Sequence, residues 1–114
     1  MKEIRLRKEK IDDQQLAAEL EGWLASFATP PKKVLLLPPD ITRFHSKAGL
    51  IVQLLYRALS PTAQVDIMPA LGTHVAMSEE ELAVMYGTEI PRDRFFVHDW
   101  RNDIVRIGEV SAEF

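Results

Sequence analysis

Four apolar residues, Val34-Leu-Leu-Leu37, run into two prolines, Pro38-Pro39, and then into Asp40-Ile-Thr-Arg43. A short continuous apolar run bounded in this way fits a strand buried on both faces of a sheet. An acid, a hydroxyl and a guanidinium therefore stand together where a buried strand ends. A second strand is expected at Gln64-Val-Asp-Ile-Met68, and it leads into the loop Pro69 to Met77, which holds Gly72-Thr-His74.

Helical segments alternate with these runs. Asp12 or Asp13 can cap a helix that reaches about Phe27, because a carboxylate accepts the free N–H groups of a first turn. Leu16, Leu20, Trp23, Leu24 and Phe27 fall at helical spacing, and Trp23 and Phe27 are expected in the core. Thr29 to Lys33 is a break. Lys47 to Leu59 reads as a second helix with Leu50, Leu54, Leu55 and Leu59 inward, ended by Ser60-Pro61. Ser78 and Glu81 form a capping box for a third helix, which runs to about Tyr86 and stops at Gly87. Ile4 to Leu6, Phe95 to His98 and Asp103 to Ile107 are further strand candidates. The alternation predicts an α/β fold: a three-layer, Rossmann-like parallel sheet with flanking helices. Ligands of open α/β sheets sit beyond the carboxyl ends of the strands. If the two strands are neighbours, Asp40, Arg43 and His74 converge on one cleft.

The 114 residues are enough for one domain, and a hydrophobic fraction of 46% supports a real core. The net charge of -3 and the scattered basic residues offer no surface for nucleic acid. The absence of cysteine excludes disulfides, thiolate metal sites and cysteine nucleophiles. No apolar run approaches the roughly 20 residues of a membrane span. The charged N-terminus lacks the apolar core of a signal peptide. A cytoplasmic protein without a membrane partner is expected.

Each polar candidate has two readings. Arg43 offers a planar fork to a carboxylate or phosphate, and Asp40 can accept from a ribose or another donor. Alternatively, Asp40, Thr42 and Arg43 form an Asx turn with a structural salt bridge. His74 can act as a general acid or base, since imidazole titrates near working pH, or it is a structural loop histidine. Gly72 would let the backbone approach a ligand, but no Gly-Lys-Ser/Thr follows to make a phosphate-binding loop. His98-Asp99 could bind metal. With no second histidine at ligand spacing, a structural turn is the better reading there. His45 is expected to face solvent.

Taken together, Asp40-Ile-Thr-Arg43, Ala70-Leu-Gly-Thr-His74, Met77-Ser-Glu-Glu-Glu-Leu82 and His98-Asp99 resemble the start of the nickel-dependent lactate racemase family. The resemblance runs from about Val34 to Gly108. It implies an α/β N-terminal domain facing a second domain across a cleft, and a nickel pincer nucleotide as cofactor. The implied reaction is racemisation or epimerisation of a 2-hydroxy acid by reversible hydride transfer. His74 matches a family acid/base histidine, and Arg43 matches the arginine that holds the substrate carboxylate. Asp40 matches an acid of the cofactor pocket, and Thr42 and Gly72 match pocket-lining positions. The family often has Arg-Pro after Gly-Thr-His and proline after Asp-x-Thr-Arg, whereas Val75-Ala76 and Phe44-His45 stand here. These changes point to a 2-hydroxy acid other than lactate. The family's nickel ligand, cofactor lysine and second acid/base histidine have no counterpart among residues 1–114. Residues 1–114 are therefore expected to be the N-terminal part of a longer chain, inactive alone and partnered by the remainder. An uncovered sheet edge would invite pairing with a second copy. The alternative function is a non-catalytic α/β module that binds a nucleotide or anion at the same loops.

Overall fold

The computed structural model describes residues 10–113. The strand expected at Ile4 to Leu6 lies outside them. Three helices and two strands follow in the order α1 (Asp13–Ala25), β1 (Lys33–Leu36), α2 (Ala48–Leu59), β2 (Gln64–Ile67) and α3 (Glu79–Tyr86). Short 3-10 turns cover Ile41–Ser46 and Arg92–Arg94.

The strands pair in parallel, with Lys33 opposite Gln64 and Leu36 opposite Ile67. Helix α2 makes the crossover that parallel pairing requires. Val65 and Ile67 of β2 are buried, and Val34 and Leu36 stand beside them in register. Ile67 packs with Val52 of α2, with Leu82, Met85 and Tyr86 of α3, and with Ile90. The helix ends follow the local chemistry. Asp12 Oδ1 accepts from the Gln15 N–H at 2.8 Å. Ser78 and Glu81 complete both halves of the capping box, and Gly87 leaves α3 with a φ of 73°.

Two helices approach closely at Gly49. A Cβ there would clash with the Met85 carbonyl oxygen, well inside van der Waals contact. The glycine is thus what lets α2 lie against α3.

The sheet differs from the expected one. The fold is α/β with parallel pairing, but the described sheet has two strands, and Lys33, Leu35 and Gln64 on its second face are exposed. Strand β1 is therefore not buried on both faces: Leu35 is 54% and Leu37 is 60% exposed. Leu35 stands opposite Asp66, which pairs with Arg94 at 3.3 Å. That charged neighbour makes the second face half polar. Phe95 to His98 is not a full strand. It contributes one bridge, Ile67 with Phe95, and one hydrogen bond from the Phe96 N–H to the Ile67 carbonyl at 2.8 Å. Asp103 to Ile107 pairs with no described strand, and Ile107 is fully exposed. A strand needs a neighbour for its backbone groups, and none stands there.

Two helix faces also differ. In α2 the buried positions are Gly49, Val52 and Leu59. Leu50, Leu54 and Leu55 are half-buried because α1 and α3 share that surface. Helix α1 buries no residue. Trp23 and Phe27 meet edge to face at 5.0 Å, but Phe27 is 45% exposed, so this pair lies outside the core.

Two glycine-to-alanine substitutions should have opposite signs. Gly22 lies in α1, where an added methyl would meet nothing within 4 Å, so Gly22→Ala should stabilise by about 0.5–1 kcal/mol through helix propensity. Gly49→Ala should destabilise by about 1–3 kcal/mol, because the helices must separate. Urea unfolding midpoints measure both, and a stabilising Gly49→Ala would contradict the close helix approach. Ser78→Ala should cost about 1 kcal/mol in the same assay, from loss of the cap.

Candidate functional site

The parallel register continues past the prolines. The Ala70 N–H donates to the Pro38 carbonyl at 2.8 Å, and Pro39 bridges Ala70. Proline cannot donate, but here the donor comes from the other strand. Asp40 and Leu71 therefore leave the sheet side by side. On the first side Asp40 caps the 3-10 turn Ile41–Ser46. On the second, Gly72 takes a φ of 60° and the His74 N–H bonds back to the Leu71 carbonyl at 2.9 Å. This tight turn returns His74 toward Asp40.

The two side chains meet: His74 Nδ1 lies 2.6 Å from Asp40 Oδ2. The other carboxylate oxygen, Oδ1, accepts from the Thr42 N–H at 3.1 Å and from the Thr42 hydroxyl at 2.5 Å. The Asp40 side chain is 7% exposed, whereas that of His74 is 57% exposed. Buried acid and accessible imidazole thus form a pair with one side open to solvent. Tyr86, fully buried at the end of α3, donates its phenol to the Pro39 carbonyl at 2.7 Å. Burial, and then the nearby Asp40 charge, push the Tyr86 phenol up, so it stays a donor.

Asp40, Thr42, Arg43, Gly72 and His74 all line one groove of about 560 Å³, together with Thr73. An adjoining depression of about 400 Å³ shares Asp40, Thr42, Thr73 and His74 and adds Val75, Met77 and Glu81. The five candidates thus come together. The Asx turn of the structural reading is present, but the side chain that meets Asp40 is His74 and not Arg43. Arg43 is exposed at the groove, and no ion pair joins it to a described residue.

The remaining candidates lie elsewhere. Asp99 accepts from the backbone N–H groups of Arg101 and Asn102 and from the Asn102 side chain. Those bonds, led by the Asn102 amide, hold its carboxyl below the usual range. His98-Asp99 is thus a turn. His45 is exposed and packs edge-on against Phe44. Among the described residues no three His, Cys, Asp or Glu side chains cluster as a metal site. No helix there is long and apolar enough to cross a membrane. Sequence reasoning passed over Thr73, Glu81 and Tyr86. Thr73 was visible between Gly72 and His74, but Glu81 and Tyr86 carried only helix signals.

Asp40 should make stability depend on acid. The Thr42 hydroxyl first, then His74, hold its carboxyl below the usual 3.8 against the opposing effect of burial. A folded-state value below the unfolded one adds stability that is whole above 3.8 and is lost as pH falls through the lowered value. Asp40→Asn should therefore lower the urea midpoint near neutral pH, and its deficit should shrink at about pH 3. A deficit that is constant with pH would remove this assignment.

Comparison with known protein families matches residues 7–114 to the lactate racemase N-terminal domain. No curated protein and no solved structure matches in the parallel comparisons. The match spans nearly the whole chain, including every groove residue named above, and the chain belongs to the lactate racemase N-terminal domain family.

Proposed function

We propose that this domain forms one wall of the active site of a racemase or epimerase for a 2-hydroxy acid. A racemase-related role follows from the family. The finer reading is carried by one observation: an accessible histidine, backed by a buried acid, shares a groove with an exposed arginine. The imidazole takes the substrate's hydroxyl proton and returns it. Proton transfer needs a base within hydrogen-bond reach, and the His74 imidazole lines this groove with its ring open to solvent. Arg43 holds the substrate carboxylate, because a guanidinium fork fixes a planar acid by two hydrogen bonds. Val75, 87% exposed, lines the adjoining depression and favours a 2-hydroxy acid with a side chain larger than lactate's.

The proposed cofactor is a nickel pincer nucleotide. The described residues offer nickel no ligand cluster. They do offer the nucleotide body a polar wall. Thr42 and Thr73 supply hydroxyls, and a Cβ at Gly72 would meet nothing within 4 Å, so the surface there is open to a ligand. Asp40 contributes to that wall from beneath. When bound, the cofactor supplies the hydride-accepting centre of the reaction. The nickel ligands and the facing wall belong to the remainder of the parent enzyme.

In the complete cofactor-loaded enzyme, His74→Ala should lower turnover by about 100-fold or more. Arg43→Lys should raise KM for the 2-hydroxy acid by roughly 10-fold or more with a smaller change in kcat, since a lysine cannot hold a carboxylate at two points. Full turnover after His74→Ala, with the cofactor still bound, would remove histidine from the chemistry. Nucleotide binding without any racemisation would favour a binding module instead.

A further inference from the structure

We propose that Asp40 is the positioning residue of His74: it holds the imidazole hydrogen on Nδ1 and leaves Nε2 as the nitrogen that meets the ligand. This deepens the acid/base reading of the groove and rests on it for its functional meaning, though not for its geometry.

An ionised carboxylate has no hydrogen to donate. Asp40 is buried, and its two oxygens divide their work. Oδ1 accepts from both the N–H and the hydroxyl of Thr42. Oδ2 faces only His74 Nδ1, at 2.6 Å, among the described residues. A contact of that length between an acceptor and a ring nitrogen requires the hydrogen on the nitrogen. These same bonds keep the carboxyl ionised over the neutral range. A histidine ring nitrogen is fixed by the hydrogen bond its other nitrogen makes. With Nδ1 committed to Asp40, Nε2 is the free base, and it sits on the far edge of a ring that is largely exposed.

Thr42 sharpens the proposal into a test. Its two donors claim Oδ1. In Asp40→Asn the amide oxygen must therefore occupy the Oδ1 place, which leaves the NH2 group facing Nδ1. Nδ1 would then have to accept, and the hydrogen would move to Nε2. The substitution keeps the shape of the side chain and reverses the tautomer.

The measurement is a long-range 1H–15N correlation spectrum of the 15N-labelled chain at mildly alkaline pH, where imidazole is neutral. His74→Gln identifies the His74 signals among those of the three histidines. For the wild type, a protonated, pyrrole-type Nδ1 and a bare, pyridine-type Nε2 are expected. For Asp40→Asn, the two shifts should exchange. A wild-type His74 with its hydrogen on Nε2 overturns the proposal, and this result needs no folded variant. An unchanged tautomer in a folded Asp40→Asn overturns it as well. Neither spectrum depends on turnover. A reversed tautomer together with full racemase activity in the Asp40→Asn enzyme would leave the positioning intact and sink the acid/base role of His74 instead.

Discussion

Two backbone segments that share no covalent neighbourhood are held at hydrogen-bond distance because β1 and β2 stay in register beyond their last regular pair. The Ala70 N–H still finds the Pro38 carbonyl after the chain has entered proline. Had Pro69 and Ala70 been exchanged, the donor of that bond would be missing. Everything polar in the groove is counted from this bond. Asp40 is two residues past Pro38, and His74 is four past Ala70, brought back by the left-handed turn at Gly72. A slip of one residue would turn the Asp40 side chain to the opposite face of the sheet.

A fully engaged buried acid is also what separates this groove from an ordinary polar cleft. A carboxylate that is 7% exposed cannot be left unpaired without a desolvation penalty. Here the penalty is offset by three hydrogen bonds from two residues. Thr42 answers one oxygen and His74 the other. The acid thus serves the fold, by capping the 3-10 turn, and orders the imidazole with the same group.

Much of this was legible in the sequence because the signals were local. Asp12, Ser78, Glu81 and Gly87 act through hydrogen bonds or backbone angles within one turn, so type and spacing sufficed to place the helix ends. The convergence of Asp40, Arg43 and His74 followed from one topological inference, that the two strands are neighbours. What escaped was non-local. The run Val34 to Leu37 looks the same whether one face or two are covered, and only the charged Asp66 across the sheet distinguishes the cases. Trp23 and Phe27 have core-like character, but among the described residues α1 packs mainly against α2 and buries no residue. That His74, and not Arg43, would satisfy Asp40 depended on the turn at Gly72 and on which carboxylate oxygen Thr42 had taken. No spacing rule carries that information.

Helix α3 touches the groove at both ends. It begins at Glu79, just past the loop that carries His74, and ends at Tyr86, whose phenol holds the carbonyl next to Asp40. One residue before Tyr86, Met85 packs onto the α2 helix that follows the 3-10 turn. In mechanical terms α3 is a brace across two loops that would otherwise hang from separate strands. The two loops must then shift together, and the groove has little freedom to widen from within.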